Sequence, residues 1–305
     1  MLRAFFIYLS ESRRLRAMAE RSRMGRRMSR RFVAGETLDE ALAATKATND
    51  LGMAVSIDNL GENVTTAEEA RHSAQLYHQL IEAMAERKLN ANVSLKLTHM
   101  GLDVDEKLAQ QITSELVAHA ARLDNFVRVD MEGSPYTQRT LDFVRALHSR
   151  NGNARYVGAV IQSYLRRSEQ DVLDLCANGI RIRLCKGAYK EPPEIAFQKK
   201  SEVDANYVAL MKILLKSGIY HGIATHDEKM IRATLDFARA EKVPPEAFEF
   251  QMLYGIRRDL QQQLVGDGWR MRVYIPFGSE WYPYFMRRLA ERPANVFFLL
   301  KNLLR

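Results

Sequence analysis

The stretch YVGAVIQSYLRRSEQDVLDLCANGIRIRLCKG, residues 156–187, contains the unit from which most of the chain is built. A β-rich run, Tyr156–Ile161, leads into a helical pattern. Gly179 stops that helix just before a second β-rich run, Ile180–Leu184, since glycine enters the left-handed region that ends helices without a Cβ penalty. The same alternation holds from residue 50 onward. Strands are expected at Ala54–Ile57, Val93–Leu97, Phe126–Asp130, Tyr156–Ile161, Ile180–Leu184, Ile219–Ala224, Glu249–Met252 and Arg270–Ile275. Eight strands, each followed by a helix, indicate a closed parallel barrel rather than an open sheet.

Local signals keep the same phase. Thr66-Ala-Glu-Glu69 has the form of a capping box opening the first barrel helix, and Thr225-His-Asp-Glu228 repeats it after the sixth strand. Gly278-Ser279-Glu280 is expected to start the last barrel helix, residues 37–49 form a helix before the first strand, and residues 294–303 form one after Pro293. The fold expected is α/β, a (βα)8 TIM-type barrel with extra N-terminal helices.

A chain of 305 residues buries a sizeable core without covalent staples. Its 47% apolar and 27% charged residues are ordinary for a globular protein. Two cysteines in no metal-type spacing exclude a disulfide framework and point to a reducing compartment. No apolar run approaches the roughly 20 residues needed to span a bilayer, so contact with a membrane would come from the side. The formal charge is +8, and nine arginines fall between Arg13 and Arg31. Residues 1–35 therefore read as a basic helical arm and 36–305 as the barrel. A solvated basic helix, an anionic-lipid patch, a transit peptide and a nucleic-acid arm all suit the arm's composition. The near-neutral remainder argues against a nucleic-acid function.

In a parallel barrel, chemistry sits at the C-terminal ends of the strands. Asp58, Glu62, Lys96, Asp130, Glu132, Gln162, Arg183, Lys186, His226, Gln251 and Tyr274 all fall at or just past expected strand ends. Lys96 stands in an apolar run and needs an anionic partner. That partner is a bound carboxylate, or Asp130 or Glu62 in a purely structural pair; a Schiff-base nucleophile is a third role for it. Arg183 and Lys186 put two cations beside Gly187, where backbone can approach an anionic ligand such as a pyrophosphate, or else form a solvated basic turn. Arg287 and Arg288 carry forks that match a carboxylate, although spacing alone favours pairing with Glu291 on a wet face. His221 and His226 do not have metal-ligand spacing, so no metal is expected. There is no Gly-x-Gly-x-x-Gly and no P-loop. The residues alone lead to a barrel enzyme with a cationic site for anionic ligands.

Eight fragments at these strand ends resemble the proline dehydrogenase family, particularly its short monofunctional bacterial members. They are Ile57-Asp-Asn-Leu-Gly-Glu62, Ser94-Leu-Lys-Leu-Thr98, Val129-Asp-Met-Glu-Gly-Ser134, Val160-Ile-Gln-Ser-Tyr-Leu165, Arg183-Leu-Cys-Lys-Gly-Ala-Tyr189, Ala224-Thr-His-Asp227, Phe248-Glu-Phe-Gln-Met-Leu-Tyr-Gly255, and Tyr274-Ile-Pro-Phe-Gly278 with Tyr284-Phe-Met-Arg-Arg288. Each is weak alone, but all eight in barrel order are specific. The resemblance implies a distorted barrel with FAD bound non-covalently at the strand C-termini and L-proline stacked on its ring. It implies that Lys96, Arg287 and Arg288 hold the substrate carboxylate, that Tyr274 packs on the proline ring and that Asp130 supports the site. Glu62 resembles a gating partner for Arg287, and Arg183 resembles the residue that meets the flavin near its reactive nitrogen. Met131, Gln162, Lys186, Gly187, Ala188, Thr225, His226 and Gln251 match positions lining the flavin and its phosphates.

The implied reaction is hydride transfer from proline to flavin N5, giving Δ1-pyrroline-5-carboxylate. Electrons then pass to a membrane quinone. A cytoplasmic protein touching the inner face of an anionic membrane through its basic arm is expected. Asp227 stands where the family often has asparagine. Oxidation of 4-hydroxyproline on the same scaffold, a Lys96 Schiff-base lyase and a non-catalytic lipid-surface protein are the competing readings.

Overall fold

A computed structural model describes residues 29–61, 63–150 and 152–291, together with residues 18, 19, 22 and 25; for residues 287–291 it describes the backbone alone. Eight parallel strands close into a barrel in sequence order. They are β1 (Ala54–Asn59), β2 (Ala91–Leu95), β3 (Val127–Val129), β4 (Val157–Gln162), β5 (Arg181–Cys185), β6 (His221–Ala224), β7 (Phe248–Leu253) and β8 (Met271–Phe277). The described helices are α1 (Leu38–Asn49), α2 (Ala67–Glu86), α3 (Glu106–Arg122), α4 (Ser134–His148), α5 (Ser168–Ala177), α6 (Lys200–Lys216), α7 (Glu228–Ala240), α8 (Arg258–Gly266) and α9 (Trp281–Glu291). All eight expected strands are present, with ends shifted by a few residues. The expected helix over 294–303 and most of the basic arm lie outside the described residues.

Strand alternation divides the side chains by polarity. Val55, Ile57, Val93, Leu95, Val127, Val129, Ile182, Leu184, Phe250, Val273 and Ile275 are buried in the core between strands and helices. Each such aliphatic side chain contributes about 1.5–3 kcal/mol on burial. Residues of the opposite parity fill the barrel itself: Ser56, Asp58, Ser94, Arg128, Arg183, Glu249 and Gln251, all buried and polar, with Arg272 partly buried beside them.

Helix starts follow capping chemistry, with two corrections to the sequence reading. Thr66 accepts from Glu69 N at 3.2 Å, but the Glu69 carboxylate reaches Thr65 N at 2.8 Å instead of closing a box on Thr66. Before α7 the cap is Asp227, not Thr225; Asp227 accepts from Lys229 N, and Thr225 Oγ1 accepts from Asp227 N in the turn before it. The full capping box stands at Thr37 and Glu40, opening α1. Gly179 does end α5, at φ +72°.

The seam between β8 and β1 departs from a regular barrel. There α1 packs on both strands. Trp281, Tyr282, Tyr284 and Phe285 of α9 cluster with Phe32, Val33, Leu60 and Ile256. Leu60 and Ile256 lie just past the C-terminal ends of β1 and β7, so α9 crosses the mouth and α1 takes the outer place beside the seam. Residues 32–35 belong to this packing: Ala34 N donates to Pro276 O and Gly278 N to Gly35 O.

Candidate active site

Inward residues of β1, β2, β7 and β8, with Asp130 just past β3, converge on one guanidinium, that of Arg183 on β5. Arg183 donates from Nε to Gln251 Oε1 at 2.5 Å and from one terminal nitrogen to Asp130 Oδ1 at 2.7 Å. Its other terminal nitrogen donates to Ser56 Oγ at 3.1 Å and to Ser94 Oγ at 3.0 Å. Asp130 accepts from the Tyr274 hydroxyl at 2.9 Å, and the Arg183 guanidinium lies 5.2 Å from the Tyr274 ring centre. The Arg183 and Asp130 side chains are only 7% and 13% exposed. A buried charge is tolerable when paired and hydrogen-bonded, and both conditions are met here.

Above this layer, Lys96 lies one residue past β2 and donates to Asp58 Oδ2 at 3.2 Å. Among the described residues its carboxylate partner is therefore Asp58, rather than the Asp130 considered from the sequence, because Asp58 and Ser94 face each other in the β1–β2 register. Burial pushes the Asp58 carboxyl above its usual range; Lys96 opposes this and the Asp130 charge adds to it. Burial, then Asp130 and Asp58, hold the Tyr274 hydroxyl well above its ordinary value, so it remains a proton donor. Tyr77 behaves likewise, its hydroxyl 2.9 Å from the Ser94 carbonyl.

The remaining site positions form an arc over β3 to β7. Met131 is buried just past β3. At the end of β4, Gln162 donates to the Glu132 carbonyl at 2.9 Å. Gly187 takes φ +105°, and a Cβ there would fall 2.3 Å from the Tyr164 ring, so the position demands glycine. Ala188 beside it is exposed. Lys186 donates to Asp204 at 2.5 Å and Asp227 at 2.7 Å, and Lys200 bonds the same two carboxylates. Thr225 N donates to Gln251 O, and His226 Nε2 accepts from Leu253 N at 2.9 Å. Among the described residues no group of three or more metal-binding side chains gathers, and no helix is long and apolar enough to cross a membrane.

Glu62 lies outside the described residues. Arg287 and Arg288 lie on α9, but their side chains are outside the described ones. The structure therefore joins Asp130, Arg183, Gln251 and Tyr274 directly, sets Lys96 beside them through Asp58, and spreads Gln162, Lys186, Gly187, Ala188, Thr225 and His226 along the rim. The sequence reading missed Ser56, Ser94, Glu249 and Arg272. A polar residue at inward parity within a β-rich run is the signal that could have found them.

The donors suit a dinucleotide with a negatively charged end. An ammonium, a hydroxyl and a side-chain-free glycine line the rim, and a buried guanidinium lies below. At the mouth, Lys186 and Lys200 are paired with the Asp204 and Asp227 carboxylates.

Residues 41–301 match the family model described as proline dehydrogenase. Proline dehydrogenase 1 of Bacillus subtilis is 40% identical over 307 residues, covering 100% of both chains. Proline dehydrogenase of Deinococcus radiodurans is 41% identical over 281 residues, covering 91% of this chain and 90% of that one. Among solved structures, proline utilization A from Bdellovibrio bacteriovorus, inactivated by N-propargylglycine, superposes with a TM-score of 0.81 at 29% identity. That match covers 87% of this chain and 32% of the longer one.

Proposed function

The chain belongs to the proline dehydrogenase family, and on that premise we propose that it oxidises L-proline to Δ1-pyrroline-5-carboxylate with bound FAD, passing the electrons to a membrane quinone. The observation that carries this reading is the buried Arg183 guanidinium, held by Asp130, Gln251, Ser56 and Ser94. The flavin supplies the two-electron acceptor for the hydride leaving C5 of proline. Arg183 is a fixed cation where negative charge accumulates on reduction, and such preorganised charge acts strongly in a dry site. Lys186, Gly187, Ala188, Thr225, His226, Gln162, Met131 and Gln251 would hold the cofactor.

Lys96, with Arg287 and Arg288, holds the substrate carboxylate; the part of the two arginines rests on the sequence resemblance. Tyr274 packs against the pyrrolidine ring, its hydroxyl tied to Asp130. That tether fixes the ring where a 4-hydroxyl would have to fit, which favours proline over 4-hydroxyproline. Lys96 is engaged with the Asp58 carboxylate, a contact that suits a lysine holding an anion better than one acting as a free amine nucleophile. Glu62 keeps the role of gate partner to Arg287, closing the site to water. The amine sheds its proton before the hydride leaves, so proline loses one hydride and one proton in all.

Colour is the test. The purified protein should be yellow and should bleach anaerobically on addition of L-proline. A colourless protein, or a flavin indifferent to proline, would overturn the reading.

A further inference from the structure

Glu249, 4% exposed on β7, takes no part in the chemistry above, yet it is tied into the same network. Arg272 Nε donates to its Oε1 at 2.6 Å, Gln251 Nε2 donates to the same oxygen at 2.6 Å, and the Tyr220 hydroxyl donates to Oε2 at 2.8 Å. An ionised carboxylate only accepts hydrogen bonds, whereas a carboxamide is two-faced. Glu249 therefore dictates which way Gln251 points: NH2 toward Glu249, carbonyl oxygen toward Arg183. Reversed, the amide would set its oxygen against a carboxylate and its NH2 against a guanidinium, two repulsive contacts.

Register makes this relay possible. Arg183 on β5 and Gln251 on β7 are separated by β6, and the β6 residue level with both Arg183 and Glu249 is Gly222. A Cβ on Gly222 would fall 2.3 Å from Gln251 Nε2. The missing side chain is the gap through which Gln251 crosses to Arg183.

We propose that Glu249 is a positioning residue for the redox site, acting through Gln251 and the Gly222 gap to fix the Arg183 guanidinium in one orientation. The ordering of Arg183 stands on the barrel's own contacts; its consequence for flavin reduction rests on the function proposed above.

The test uses the full-length protein and two readouts. In 15N-arginine NMR, the Arg183 Nε–H, assigned by its loss in Arg183→Lys, should exchange slowly with water in the wild type. Glu249→Gln should keep it, because an amide oxygen still accepts from Arg272 and Gln251. Glu249→Leu/Arg272→Leu replaces the buried ion pair with an apolar pair, an exchange that proteins often tolerate. Gly222→Ala leaves the ion pair intact and decides the matter should the double variant not fold. Both should accelerate Nε–H exchange at least tenfold. Both should also lower kcat for proline at least tenfold with KM within threefold, and shift the flavin midpoint potential to more negative values. An unchanged Arg183 resonance in either folded variant overturns the proposal, as does loss of the resonance in Glu249→Gln. A wild type without flavin would overturn the flavin reading, and the NMR readout would still decide the role of Glu249.

Discussion

Removing the Asp130 carboxylate should expose how strongly the buried pair is coupled. In Asp130→Ala the Arg183 guanidinium keeps Gln251, Ser56 and Ser94 but loses its only described counter-charge, and Tyr274 loses one of its two carboxylate neighbours, keeping Asp58. Breaking a buried pair by deleting one partner costs about 3–5 kcal/mol. Unfolding entropy near 2 cal/mol/K per residue over 305 residues converts each kcal/mol into about 1.5 °C. Asp130→Ala should therefore lower Tm by about 5–8 °C. Asp130→Asn should lower it by about half as much, because its oxygen can face Arg183 while the Tyr274 hydroxyl turns to accept from its NH2. Arg183→Leu alone strands the carboxylate and should cost about as much as Asp130→Ala. In Asp130→Ala/Arg183→Leu nothing charged is left unpaired, so the double variant should be no less stable than the worse single one. The assay is thermal unfolding of the wild type and these four variants in one buffer, free of added flavin. Simple addition of the two single losses would refute the reasoning, because independent sites add and coupled ones do not.

Acid should weaken the fold before the carboxylates titrate. Burial and the Lys96 charge lower His99 from 6.5 to about 4, and burial and Arg128 lower His221 to about 3. The unfolded chain takes up these protons below about pH 6.5 while the folded chain refuses them, so their contribution is complete above that pH and is lost as pH falls toward 4 and 3. Tm should drop between pH 7 and pH 5, and a flat profile there would contradict this. Arg288→Met should raise KM for proline roughly 30- to 1000-fold, about 2–4 kcal/mol for a lost bidentate contact; an unchanged KM in steady-state assays would mean that the carboxylate clamp is misassigned. Deleting residues 1–28, which stops short of buried Ser29, Phe32 and Val33, should spare reduction of a soluble acceptor but weaken sedimentation with anionic vesicles. Equal sedimentation of both forms would end the membrane-arm idea.

The barrel was legible because its signals are local. β-Rich runs, glycine stops and capping residues act over a few positions, and all eight strands appeared where those signals put them. The capping error at Thr225 has an equally local cause: two candidate oxygens, on Thr225 and Asp227, stand within three residues, and only the path of the turn selects Asp227. The course of α9 was not legible. Its aromatic stripe serves equally for a helix in the outer ring, and only the packing of Phe32, Val33, Leu60 and Ile256 shows that it crosses the mouth.

By itself, the sequence determined that there is a barrel, and it pointed to Lys96, Asp130, Arg183, Gln251 and Tyr274 as polar residues crowding one mouth of it. Tertiary structure alone decided who touches whom: Lys96 with Asp58, Arg183 with Ser56 and Ser94, Gln251 with Arg183. The reason is that partners in a closed barrel come from strands far apart in the chain, 127 positions for Arg183 and Ser56 and 144 for Tyr274 and Asp130. Their meeting depends on inter-strand register and on closure between β1 and β8, neither of which leaves a short-range trace in the chain.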